Sequence, residues 1–172
     1  MPRDQRQLEC VCGSHSNRHP ITKRIKEKKP FDKILIKLFV REPESDWFNQ
    51  ALLGQHFESS ELAMVEARSA LLAKERAGHI TARERVSAGE KFVEMVEDDL
   101  IRLLPLNRLV LERAVAIQLA CHLRIPLRTL DALHVASCDL HRCGTLATTD
   151  ARMRSACEQL AIDLFPPSVG PS

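Results

Sequence analysis

The sequence predicts an α/β fold that is rich in helix and built on a parallel sheet. Three observations predict it. Short apolar runs alternate with one or two helix-patterned segments, the order that parallel strands with helical crossovers require. The helix-patterned segments carry start signals of their own, above all Thr81 with Glu84, and Asn107. Three acids, Glu66, Asp131 and Asp150, fall near the points where strand or loop gives way to helix. In an open parallel sheet that is where ligands bind.

Residues 1–30 hold eight Lys or Arg against three Asp or Glu and show neither period 2 nor period 3.6, so they read as a disordered basic extension. An ordered domain is expected over 31–165, with a frayed tail at 166–172. The apolar run 34–40, broken by Lys37, is too short to assign to helix or strand. Pro43 with Glu42, Glu44 and Asp46 suits the first turn of a helix reaching about residue 53. A short strand at 56–59 follows, and Ser60 is placed to cap a long helix. The apolar positions of that helix, Leu62, Val65, Ser69/Ala70 and Ala73, recur at helical spacing, and Gly78 is its stop. Thr81 and Glu84 form a capping box for a second helix to about residue 99. Next come a strand over 101–106 and a helix capped by Asn107 that runs to about residue 123, before Pro126. Thr129 opens another helix, which ends before Gly144. A strand at 145–149, a helix at 151–161 and a strand at 162–165 complete the domain.

With 172 residues the chain has room for one domain with a real core. Its 44% hydrophobic and 28% charged residues are those of an ordinary globular protein. The net charge of +2 conceals an asymmetry: residues 31–172 hold 17 basic against 20 acidic side chains. The body is thus mildly acidic and carries no strong nucleic-acid footprint. Any nucleic acid must be held by local basic patches and by metal. No apolar run approaches the roughly 18 residues of a membrane span, and the N-terminus lacks the apolar core of a signal peptide. The six cysteines, at 10, 12, 121, 138, 143 and 157, lack the dense spacing of a secreted disulfide scaffold and read mostly as small buried hydrophobes. A cytoplasmic location is the natural expectation.

Each acid has a plain structural role available to it. Asp131 favours the dipole at the start of its helix, Asp150 is an N-cap, and a Glu inside a helix such as Glu66 is usually solvated. Together they point further, because carboxylates gathered at strand ends repel one another unless a cation neutralises them. Oxygen-only ligands select magnesium or manganese over zinc or copper, and such ions serve phosphodiester hydrolysis. Cys10, Cys12, His15 and His19 fit no structural zinc spacing well. Cys138, Cys143, His134 and His141 read as helix packing and surface. Arg152 and Arg154, just past Asp150, read as an exposed helix face in preference to phosphate contacts. A phosphotransferase with a nucleophilic Asp followed two residues on by another is not matched by Asp32-Lys33-Ile34.

Four segments carry a resemblance: Phe31-Asp32 with Ile34-Leu35-Ile36-Lys37, then Ser60-Glu61-Leu62-Ala63-Met64-Val65-Glu66, then Leu130-Asp131-Ala132-Leu133-His134-Val135-Ala136, then Thr148-Thr149-Asp150. From about residue 31 to 164 the chain resembles the PIN-domain ribonucleases, of the VapC type found as toxins in bacterial toxin–antitoxin pairs. The resemblance implies a three-layer α/β/α fold with a central parallel sheet, and a metal-dependent endoribonuclease using magnesium or manganese. Its four acids map onto Asp32, Glu66, Asp131 and Asp150 as metal ligands, with Glu66, Asp131 and Asp150 carrying catalysis and Thr148 in support. It implies an RNA substrate and an antitoxin protein partner, and it allows a homodimer. The first segment departs from the family pattern. The run Lys26-Glu27-Lys28-Lys29-Pro30 before Asp32 cannot serve as a central strand. Lys37 follows Asp32 by five positions, where the family has six, and Lys33 replaces a small hydroxyl residue. Without that strand the sheet loses a central member and Asp32 its support. This departure leaves room for a degenerate PIN-like domain that binds RNA or a protein without cutting.

Overall fold

The structure, a computed structural model, describes residues 34–41 and 45–167. In chain order the elements are α1 (Ile34–Phe39), α2 (Ser45–Leu52), β1 (Phe57–Ser60), α3 (Leu62–Arg76), α4 (Ala82–Glu97), β2 (Ile101–Leu104), α5 (Arg108–Cys121), α6 (Thr129–His141), β3 (Thr145–Ala147), α7 (Ala151–Gln159) and β4 (Asp163–Phe165). The expectations for Asp32, for residues 1–30 and for 168–172 lie outside the described residues. Most of the unassigned run 34–40 is helix α1, with Ile34 and Ile36 buried. Strand β2 ends at Leu104, short of residue 106, and Pro105, which has no N–H to donate, follows it. Strand β3 ends at Ala147, short of residue 149, because Thr148 and Thr149 already turn toward α7.

Strand β1 pairs parallel with β2, with Phe57 opposite Ile101. Strand β3 pairs parallel with β4, with Thr145 opposite Asp163. Both connections are helical, α3 and α4 in the first and α7 in the second, as parallel pairing demands. Among the described residues these are two separate two-stranded sheets, and α6 packs against both β1 and β3.

Leu146 and Ala147 show why helices cover both sides of the strands. Both are fully buried, yet neighbours along a strand point to opposite faces. Leu146 joins Val110, Ile117, Val135 and Met153 in a core built from α5, α6 and α7. Ala147 joins Ile34, Phe48, Phe57 and Phe92 in a core built from α1 to α4. Leu104 and Ile101 divide between the same two cores. The layering is α/β/α.

Two helices sit differently from their sequence pattern. The buried side of α3 is Ala63, Ala67 and Leu71, whereas Val65, expected inside, is 67% exposed. The small alanines mark the side on which α3 lies against its neighbours, and the larger apolar residues turn outward. The N-cap of α3 is Glu61, without a side-chain cap bond, although the Ser60 hydroxyl does accept the Leu62 N–H at 3.3 Å. Helix α6 is buried all round from Ala132 to Cys138, while Leu130 in its first turn is exposed. The capping signals hold. Thr81 Oγ1 accepts the Glu84 N–H at 3.2 Å, and the Thr81 N–H donates back to Glu84 at 2.7 Å. Those bonds from Thr81, backbone N–H first and hydroxyl second, hold the Glu84 carboxyl below the usual carboxylate range. Asn107 Oδ1 accepts the Val110 N–H at 3.2 Å. Among the described residues no helix is long and apolar enough to cross a membrane.

Candidate active site

Asp150 is built into the turn between β3 and α7. Its Oδ1 accepts the N–H groups of Arg152 at 2.9 Å and Met153 at 3.4 Å, the bonds of an N-cap. Its own N–H donates to Thr148 Oγ1 at 3.0 Å. Thr148 is fully buried, and its N–H donates to Phe165 O at 3.0 Å, which ties the turn to β4. Thr148 thus holds the backbone from which Asp150 projects.

Asp131 stands in the first turn of α6 and accepts the Arg128 N–H at 3.3 Å on Oδ2. That is the ordinary capping role for an acid at the third position of a helix. The same oxygen also faces Arg152, whose Nε is 3.9 Å from it and 3.8 Å from Asp150 Oδ1. One guanidinium therefore draws the two acids, from different helices, to one place.

Glu66 enters by another route. It lies one turn into α3, partly exposed, and its Oε2 is 2.6 Å from Nε2 of His134, which is buried in α6. An ionised carboxylate only accepts, so the His134 Nε2–H is the donor. His134 follows Asp131 by three residues, and side chains at that spacing are neighbours on a helix. Glu66 is therefore brought beside the Asp131 face of α6.

Two expectations are overturned here. Arg154 does not lie on an exposed face. It is buried, donating from Nη1 to Thr148 O (3.1 Å) and Pro166 O (2.9 Å), and from Nη2 to Pro167 O (3.2 Å). The carbonyls of Pro166 and Pro167 supply the acceptors that the guanidinium needs. Arg152 is also turned inward, over the acids. His134, read as helix packing, is a buried partner of Glu66. Its place three residues from Asp131 was the signal available in the sequence.

Asp131 and Asp150 together outnumber the one guanidinium set between them. The donors are all oxygen, and Arg152 is drawn to the acids without a hydrogen bond to Nε among the described residues. This donor set fits a hard divalent cation. Among the described residues no three His, Cys, Asp or Glu side chains close into a ready cage, and Asp32, the fourth expected ligand, lies outside them. A concave region of about 360 Å³ lies between α3 and α4 beside Arg68, Val86, Gly89 and Val93, apart from the three acids.

The PIN-domain family model matches residues 33–159. The chain belongs to the PIN-domain family. Ribonuclease VapC46 of Mycobacterium tuberculosis is 34% identical over 140 residues, covering 78% of this chain and 92% of that relative. The resemblance to VapC-type PIN-domain ribonucleases is borne out. In this PIN domain the matched region takes in Glu66, Asp131 and Asp150, and ends at Gln159, the last residue of α7.

Proposed function

We propose that this PIN domain is a metal-dependent endoribonuclease that hydrolyses RNA phosphodiester bonds, and that it is the toxin of a toxin–antitoxin pair acting in the cytoplasm. The observation that carries this reading is the meeting of Asp131 and Asp150 over the Arg152 guanidinium beyond the end of β3. The 34% identity to a ribonuclease supports the choice of RNA. An antitoxin protein is the expected partner, and a homodimer is compatible with the reading.

Asp131 and Asp150 are the residues to hold magnesium or manganese, with Glu66 and Asp32 as further ligands. Either ion, when bound, supplies Lewis acidity toward the phosphodiester and a more acidic water. The chain's own contribution is position. Thr148 and Arg154 fix the turn that carries Asp150, and the Arg128 N–H fixes Asp131. His134 holds one oxygen of Glu66, which leaves Oε1 to orient an attacking water and take its proton.

The departure ahead of Asp32 favours one second reading, a domain that binds RNA or a protein partner without cutting. Incubating the purified protein with end-labelled RNA and magnesium, manganese or EDTA separates the two. Cleavage that EDTA abolishes is expected. RNA binding without cleavage under either metal would establish the second reading.

A further inference from the structure

Arg152 and Arg154 lie two residues apart on α7 and are held in opposite ways. Arg154 is locked by three hydrogen bonds of 2.9–3.2 Å to backbone carbonyls. Arg152 Nε stands 3.9 Å from Asp131 Oδ2 and 3.8 Å from Asp150 Oδ1, beyond hydrogen-bond length, and Nε is buried without a hydrogen-bond partner among the described residues. Arg152 is kept in place by the field of two acids, and its side chain is still 32% exposed. A long, partly exposed side chain held by charge alone leaves when a stronger cation arrives.

We propose that Arg152 is the exchangeable counter-cation of this cleft. Without metal its guanidinium neutralises Asp131 and Asp150 and keeps the two helix starts together. On binding of a divalent ion it gives up both carboxylates and turns its planar fork to the phosphate of the RNA. The inference rests on the metal-dependent reading above and assigns one residue two successive partners. Two physical consequences follow. Arg152 and the ion compete for the same oxygens, so the arginine weakens metal binding. A cation already in the cleft also relieves the repulsion between Asp131 and Asp150, so the arginine stabilises the metal-free protein.

The test uses the full chain and Mn²⁺ alone, followed by electron paramagnetic resonance of the free ion, with thermal melts in EDTA. Removing a positive charge that competes with the ion about 4 Å from the acids is expected to tighten Mn²⁺ binding on the order of tenfold in Arg152→Gln. The EDTA melting temperature of that variant is expected to fall, and its gain on adding Mn²⁺ to exceed the parent's. Arg152→Lys, which keeps the charge on a shorter stem, is expected to lie near the parent and covers the case in which the Gln variant folds poorly. Mn²⁺ binding by the parent that is unchanged or weaker in Arg152→Gln would overturn the role of Arg152 and leave the metal reading standing. Absence of Mn²⁺ uptake by the parent and by Arg152→Gln alike would overturn the metal reading itself, and the exchange with it.

Discussion

His134 Nε2 lies 2.6 Å from Glu66 Oε2, and this single contact couples a fully packed helix to a half-solvated acid. Helix α6 is buried from Ala132 to Cys138 and cannot shift without disturbing the core. Helix α3 buries Ala63, Ala67 and Leu71 and leaves Glu66 one-third exposed. The buried imidazole thus sets the orientation of the acid.

A bond to a charged partner from a buried imidazole contributes about 1.5–3 kcal/mol. His134→Ala also opens a cavity, so its total cost is expected to exceed that bond alone. Glu66→Gln is expected to cost less, because its side chain is one-third exposed. The double variant should therefore be much less destabilised than the sum of the singles. Urea unfolding of all four proteins reads this coupling, and additive losses would show that the contact carries no energy.

Arg154 is the second structural anchor. Replacing it by Met keeps the stem and strands buried carbonyls of Thr148 and Pro166, at about 1–3 kcal/mol each. A loss above about 3 kcal/mol is expected, together with faster amide exchange at Thr148 and Asp150. RNA cleavage should fall with it, since the turn that aims Asp150 loosens. A variant with parental stability would mean that water replaces the guanidinium at no cost.

Much of this was legible in the sequence, and the gaps have physical causes. Caps were readable at Thr81, Asn107 and Asp150 because each is a local bond between a side chain and the next turn. The sides of α3 and α6 were not. Val65 sits at a helical spacing from Leu62, yet Ala63 and Ala67 are the buried pair, because what is buried depends on how closely the neighbours approach. The acids were legible one by one. What joins them was not: the contacts of Glu66 with His134 and of Asp131 with Arg152 span 68 and 21 residues of sequence, and only the fold closes such distances.

The four described cysteines, Cys121, Cys138, Cys143 and Cys157, are free and buried. Burial pushes the Cys157 thiol up to about 12. The Cys138 thiol is raised too, by its bond to Cys143 and by burial. The thiolate is the reactive form, so Cys138 and Cys157 are inert at neutral pH, and burial keeps reagents from all four. In a background carrying Cys10→Ser and Cys12→Ser, Ellman's reagent is expected to find no fast-reacting thiol until denaturant is added. A stoichiometric fast phase would place one of the four at the surface.

Asp150 offers the cleanest separation of structure from chemistry, because it holds two roles that different substitutions remove separately. As the N-cap of α7 it accepts two N–H groups on Oδ1. Asn caps a helix about as well as Asp, whereas Ala costs about 1 kcal/mol. Asp150→Asn is therefore expected to melt near the parent and Asp150→Ala below it. For a divalent ion the order differs: both variants lose the same unit of negative charge, and Asn returns only a neutral carbonyl oxygen. Mn²⁺ affinity and RNA cleavage should fall steeply in both, and the same loss is expected for Asp131→Asn, whose stability changes little because only a dipole contribution of roughly 0.3–1 kcal/mol is at stake. Titration of Mn²⁺ beside thermal melts in EDTA distinguishes the roles. If Asp150→Asn retained parental Mn²⁺ affinity while Asp150→Ala lost stability, Asp150 would be a cap and nothing more, and the cation site would have to be sought without it.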